Sequence, residues 1–187
     1  MNLKEYIRSI PDYPKKGILF RDITTLIKDE KAFAETIEQI IKRSKKYKID
    51  KIAAIESRGF VFASAVSYIL KKPFIMLRKK NKLPADVHSV DFKLEYGTAT
   101  IEVHKDSLDE KDSVLIIDDL IATGGTAEAA AKLVEMSESN VSAFVFVINL
   151  FDLGGSDNLI KTNYSVENLI EFPGHWLVTG SGIEPLT

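Results

Sequence analysis

The sequence predicts an α/β fold, a central and mainly parallel sheet with helices covering both faces. Three observations point there. The runs Ile52-Ala53-Ala54-Ile55, Phe74-Ile75-Met76-Leu77, Val114-Leu115-Ile116-Ile117 and 141–150 are short and apolar, without the alternation of a half-exposed strand. Helix-forming segments separate several of them, near 60–70 and 127–136. A chain of 187 residues with 45% hydrophobic side chains can build such a core without disulfides or a structural metal.

The elements follow in order. Leu3, Tyr6, Ile7 and Ile10 recur at helical spacing, with Asn2 and Glu5 placed as a capping box, so a first helix is expected before Pro11 and Pro14 interrupt. Segment 17–22 follows neither period and reads as an ordered arm or loop. Asp29 opens a second helix with Phe33, Ile37, Ile40 and Ile41 on one face. Its basic end, Lys42, Arg43, Lys45, Lys46 and Lys48, suits the negative pole of the helix dipole. A strand at 52–55, a helix at about 60–70 and a strand at 74–77 lead into a basic loop. Phe92, Leu94, Thr98, Thr100, Ile101 and Val103 suggest a hairpin turning at Tyr96-Gly97. Strand 114–117, helix 127–136 and the β-rich run 141–150 complete the pattern. With no repeat, low-complexity tract or evident linker, one domain over residues 1–187 is expected.

Composition excludes several classes. Twenty-five Lys and Arg against 27 Asp and Glu leave a net charge of -2, without the basic excess of a dedicated nucleic-acid binder. The absence of cysteine rules out thiol catalysis and Cys-held zinc or iron–sulfur centres, and fits a reducing cytoplasm. Residues 1–8 lack the apolar core of a signal peptide, and the run 143–151 is about half of what a bilayer crossing needs. A cytoplasmic protein without a membrane partner is expected, so Asn140-Val141-Ser142 and Asn163-Tyr164-Ser165 read as chance matches to the glycosylation sequon. His88, His104 and His175 show no metal-ligand spacing, and no protein-held metal is expected.

Chemistry concentrates in Val114-Leu115-Ile116-Ile117-Asp118-Asp119-Leu120-Ile121-Ala122-Thr123-Gly124-Gly125-Thr126. A buried strand runs through two carboxylates into a small-residue loop that opens a helix. Ala122, Thr123, Gly124, Gly125 and Thr126 offer backbone N–H groups and two hydroxyls to one anion. Without a following Gly-Lys-Ser/Thr the loop is not a triphosphate loop, and a phosphate monoester suits it better. Asp118 and Asp119, acceptors only when ionised, suit sugar hydroxyls close to that phosphate. Taken alone, Asp-Asp ends many solvent-facing strands and Gly-Gly makes many tight turns. The whole run is far more specific.

That run resembles the signature for 5-phosphoribosyl 1-diphosphate (PRPP) in the type I phosphoribosyltransferases. The segments 12–23, Glu56-Ser57-Arg58-Gly59-Phe60, Lys82-Leu83-Pro84 and Leu94-Glu95-Tyr96-Gly97-Thr98 resemble the adenine-specific members of that family. Asn149-Leu150-Phe151-Asp152-Leu153-Gly154-Gly155 and Phe172-Pro173-Gly174-His175 resemble their bacterial branch. The likeness spans about residues 6–175 in unbroken order.

The resemblance implies a type I phosphoribosyltransferase fold with an N-terminal hood (1–28) and a flexible flap and hairpin (79–104). It implies transfer of the phosphoribosyl group from PRPP to N9 of adenine, giving AMP and pyrophosphate. Leu19 would meet the adenine edge through its backbone, Phe20 would stack on the ring, and Arg21 completes the adenine-binding run. Ser57 and Arg58 would hold pyrophosphate, in a loop that in the family often carries an unusual peptide bond at Glu56-Ser57. Arg78, Lys79 and Lys82 would join them from a flap closing over the leaving group and excluding water. Glu95 would exchange the proton at purine N7, although outside the family context it reads as an exposed hairpin residue. Mg²⁺ held mainly by the diphosphate and water, and a homodimer, are the expected cofactor and assembly. Lys80-Asn81 stands where the family often has Pro-Gly, a change expected to alter flap flexibility more than chemistry. Residues 176–187 depart from the family and receive no function. A phosphoribosyltransferase for another purine base and a PRPP-binding regulator are the competing readings.

Overall fold

The computed structural model describes residues 1–93, 97–174, 176–179 and 182–185, the last two stretches by their backbone alone. The chain begins with a 3₁₀ turn, Leu3–Tyr6, where the Asn2 side chain accepts from the Lys4 N–H and donates to Glu5 at 2.9 Å. The helix expected through Ile10 stops after this turn. Arg8–Pro11 is instead strand β1, paired antiparallel with β2 (Leu19–Asp22) so that Ile10 faces Phe20 across the ladder. Long-range partners explain the difference. The Thr25 hydroxyl donates to the Tyr6 carbonyl at 2.6 Å and accepts from the Arg8 N–H at 3.3 Å, engaging groups that a continuing helix needs. Arg8 also pairs with the Asp22 carboxylate.

After β2 come α1 (Thr24–Ile27) and α2 (Glu30–Ser44). Asp29 caps α2, its carboxylate accepting from the N–H groups of Lys31 (3.1 Å) and Ala32 (2.9 Å). Then follow β3 (Lys51–Ile55), α3 (Gly59–Leu70), β4 (Phe74–Lys79), β5 (Val87–Lys93), β6 (Thr98–His104) and β7 (Ser113–Ile121). The chain continues through α4 (Gly125–Met136), β8 (Asn140–Leu150), α5 (Gly155–Lys161) and β9 (Val166–Phe172). Strands β10 (Trp176–Thr179) and β11 (Gly182–Pro185) form their own antiparallel pair. The hairpin expected between 92 and 103 is present as β5 and β6.

The main sheet has the order β5-β6-β4-β3-β7-β8-β9. Strands β4, β3, β7, β8 and β9 are mutually parallel, whereas β6 runs antiparallel to β4 and β5. The lack of polar alternation has a direct cause, since both faces are covered. Leu115 and Ile117 of β7 pack with Phe62, Val66 and Ile40 beneath α2 and α3. Their neighbours Val114 and Ile116 turn to the other face, against Leu133, Val134 and Leu159 of α4 and α5. No described helix is long and apolar enough to cross a membrane.

Candidate active site

Parallel strands bring their carboxyl ends to one edge of the sheet, and β3 and β7 are neighbours there. The loop leaving β3 carries Glu56, Ser57 and Arg58 into α3, and its Glu56–Ser57 peptide is cis. The end of β7 carries Asp118 and Asp119, and the loop beyond carries 122–126 into α4. Gly124 sits at φ +93, a conformation that favours glycine, and its carbonyl accepts the Glu128 N–H at 2.9 Å to start the helix.

The two aspartates differ in setting. Asp119 is buried, and its own N–H donates to Asp118 Oδ1 at 2.9 Å. Arg58 Nε lies 2.9 Å from Asp119 Oδ2, yet without the alignment of a hydrogen bond, so that oxygen has no donor. Burial pushes the Asp118 carboxyl well up from the ordinary value, and the Asp119 charge adds to the push. Burial also raises Asp119, with the Arg58 charge working against it. The arrangement holds proton acceptors with one cation beside them.

The hood covers this floor. Phe20 meets Tyr13 edge to face at 5.1 Å between ring centroids, and the Arg58 guanidinium lies 5.7 Å from the Phe20 ring centre. A cavity of about 620 Å³ results. Of the residues expected at a site, Leu19, Phe20, Arg21, Ser57, Arg58, Asp118, Asp119 and 122–126 all line it. Arg21 does so with its guanidinium turned to structural work. It reaches the Ser9 hydroxyl and donates to the Pro173 carbonyl at 3.0 Å, with the Phe172 ring 4.2 Å below.

Arg78, Lys79 and Lys82 do not line the cavity. They gather instead around the Glu56 carboxylate, which accepts the Lys79 N–H at 2.9 Å and faces Arg78 Nε at 3.3 Å. That N–H holds the Glu56 carboxyl below its usual range, aided by Arg78 and by the charge of Lys82. The sequence reading missed Glu56 as the partner of Arg78, Lys82 and the Lys79 backbone, and nothing local marks it. It also assigned no role to Gly154-Gly155, Leu153 and Gly174, of which Leu153 and Gly174 form part of the cavity wall. A second Gly-Gly at the start of a helix was the available signal. Glu95, with Leu94 and Tyr96, lies outside the described residues.

Comparison with known proteins bears on this geometry. The phosphoribosyl transferase domain family matches residues 23–170. An adenine phosphoribosyltransferase of Pelagibacter ubique is 84% identical over 175 residues, covering 94% of this chain and 100% of the relative. The crystal structure of the adenine phosphoribosyltransferase from Thermoanaerobacter pseudethanolicus superposes with a TM-score of 0.87 at 46% identity, covering 91% of this chain and 98% of that one. The Saccharomyces cerevisiae enzyme, crystallised with an imino-altritol bisphosphate and adenine, gives a TM-score of 0.82 at 34% identity, covering 89% and 96% of the two chains.

Proposed function

The chain belongs to the adenine phosphoribosyltransferase family, and from that premise we propose how its own residues carry out the transfer of the phosphoribosyl group of PRPP to N9 of adenine, giving AMP and pyrophosphate. The observation that carries the reading is the meeting of two anion-friendly loops, from β3 and β7, over a carboxylate pair and beneath an aromatic hood in one cavity.

The loop 122–126 takes the 5′-phosphate through backbone N–H groups and the Thr123 and Thr126 hydroxyls. Asp118 and Asp119 accept from the ribose hydroxyls and favour the positive charge that grows on the sugar ring as the bond to pyrophosphate loosens. Arg58 leaves Asp119 for the departing pyrophosphate, a short movement for a side chain that is 45% exposed. Ser57 assists from the same loop, and Arg78, Lys79 and Lys82 approach with the flap. Adenine lies against Phe20 with its edge read by the backbone of Leu19 and Arg21, and Glu95 takes the proton at N7.

The residues fit a Mg²⁺ ion carried on the diphosphate. Among the described residues no group of three or more His, Asp or Glu forms a cage, while Asp119 keeps a buried carboxylate oxygen without a donor. Such an ion would be held mainly by the diphosphate and water, with Asp119 beside it, and would supply neutralisation of the charge on the leaving group. A homodimer is supported by the apolar surface of α3, where Val61, Tyr68 and Ile69 are exposed, Tyr68 to 86%, with Met76 of β4 also exposed. The cysteine-free sequence supports the cytoplasm as the compartment.

The test offers PRPP and Mg²⁺ with equal adenine, hypoxanthine, guanine and xanthine, and identifies nucleotide products by mass. AMP alone is expected, lost in Glu95→Gln and on chelation of the metal. Another nucleotide would overturn the assignment of the base site. PRPP binding without any product would favour a regulator.

A further inference from the structure

Two double-glycine turns lie back to back in this fold. The first, Gly124-Gly125, is the 5′-phosphate loop. The second, Gly154-Gly155, opens α5 at the far end of β8. The backbones touch without intervening side chains. The Gly155 N–H donates to the Ala122 carbonyl at 3.0 Å. A methyl group on Gly124 would come within 3.1 Å of Gly155 Cα and 3.2 Å of its carbonyl oxygen. A methyl group on Gly155 would overlap the Ala122 carbonyl outright and lie 2.7 Å from the Gly124 nitrogen and 2.8 Å from the Thr123 carbonyl carbon. No flexible side-chain end is available there to give way.

Gly154 is different. It has φ +74 and nothing within 4 Å of the position of an added Cβ. Its carbonyl accepts the Asn158 N–H at 2.9 Å, as an N-cap should. The adjacent positions are therefore constrained for separate reasons, Gly154 by a left-handed backbone that glycine or asparagine adopts and Gly155 by space.

The turn is itself anchored. Ser156 is buried, and Asn168 Nδ2 of β9 donates to its hydroxyl at 2.9 Å. On its other side the phosphate loop is bounded by β5, where the Lys93 carbonyl would lie 3.2 Å from a Cβ on Gly125. A loop whose N–H groups must converge on one anion gains from such walls, because misaligned donors bind weakly and ordering them on binding has an entropic cost.

We propose that Gly155 is a positioning residue for the 5′-phosphate site: its bare backbone is the seat against which Ala122, Thr123 and Gly124 are held in the anion-binding conformation. This rests on the reading of 122–126 as the phosphate loop. It extends that site to a segment some thirty residues away along the chain, in a turn that touches no substrate. The consequence is selective. The pyrophosphate subsite at Ser57 and Arg58 lies on a different strand and does not lean on this turn.

The test measures binding of ribose 5-phosphate and of pyrophosphate separately, by calorimetry, with steady-state KM for PRPP and adenine. Wild-type protein is measured first, and failure to bind ribose 5-phosphate or to form AMP would refute the phosphate-loop reading itself. Gly155→Ala is expected to weaken ribose 5-phosphate binding roughly tenfold or more, as overpacking a fixed backbone contact does, with pyrophosphate binding unchanged. PRPP KM should rise more than kcat falls. Gly154→Asn, which keeps the left-handed conformation and adds a good N-cap, should match wild type in both. Ser156→Ala, which adds no clash, should reproduce the Gly155→Ala pattern at about threefold, so the proposal stays testable if Gly155→Ala does not fold. Equal loss of both ligands, or unchanged ribose 5-phosphate binding in Ser156→Ala or in folded Gly155→Ala, would overturn it.

Discussion

Replacing Phe20 by alanine separates the two half-sites of the cavity. The ring has two described aromatic or cationic neighbours, Tyr13 at 5.1 Å and the Arg58 guanidinium at 5.7 Å, and in the proposed complex adenine is the third. Stacking of a base on an aromatic side chain is worth about 1–3 kcal/mol by alanine substitution. That corresponds to a rise in adenine KM of roughly 5–150-fold. Loss of the cation–π contact to Arg58, worth about 0.5–1 kcal/mol at a partly exposed site, reaches the leaving-group side and should raise PRPP KM by no more than roughly fivefold. Loss of the Tyr13 edge contact, about 0.5–1.5 kcal/mol, falls on hood stability and on neither ligand directly. Initial rates with both substrates varied give the two KM values independently. Phe20→Tyr, which keeps the ring, should stay near wild type for adenine. An unchanged adenine KM in Phe20→Ala, or equal changes for adenine and PRPP, would refute the assignment of Phe20 to the base.

Three further outcomes are expected. Asp118 and Asp119 hold their protons above the ordinary carboxylate value of about 3.9, so kcat/KM for PRPP should rise with pH across a limb lying above that value, and a limb at or below it would contradict the setting described. The same raised values mean that stability contributed by these groups at low pH is lost as pH rises through that window. Asp22 behaves oppositely. Hydrogen bonds from Arg8 and from the Thr24 N–H lower its pKa to about 2, so the stabilisation is present above the unfolded value and is lost as pH falls towards 2. Asp22→Asn should lower the Tm by a few degrees at neutral pH, for a loss of about 1 kcal/mol given the exposed Arg8 side chain, and an unchanged Tm would show that the pair contributes nothing. Arg21→Lys should raise adenine KM several-fold with PRPP KM unchanged, because a point charge cannot both donate to Ser9 and Pro173 and stack on Phe172; a PRPP defect of equal size would argue for general loss of structure.

Legibility in the sequence followed the range of the interactions concerned. Strands β3, β7 and β8 announced themselves because burial on both faces leaves the runs 52–55, 114–117 and 143–148 without a polar position, and the loop 122–126 because its small residues lie just beyond two carboxylates. Helical spacing misled at Ile7 and Ile10, where Thr25 and β2 supply partners that no local pattern reveals. Helix α5 was missed because it is only seven residues long, and β9 because Glu167, Asn168 and Glu171 dilute its apolar positions at the sheet edge. The grouping of Arg78, Lys79 and Lys82 around Glu56 joins residues more than twenty positions apart. Only the folded chain shows that the Lys79 N–H and the charges of Arg78 and Lys82 meet on one carboxylate.

The hood is a two-stranded sheet that shares no ladder with the seven-stranded one. Among the described residues it is fastened by side chains, among them Arg21 to the Pro173 carbonyl and Phe172 ring. On the proposed assignment, sugar-phosphate recognition falls to strand ends that also hold the core together, whereas recognition of the base falls to an appended piece. Substitutions in β1 and β2 break no hydrogen bond of the seven-stranded ladder, so on that assignment the base site can be altered with the strands that carry the phosphate site left intact. Laboratory evolution of altered base preference should accordingly find its productive substitutions in the hood and in the C-terminal residues that fasten it, and seldom along β3 or β7.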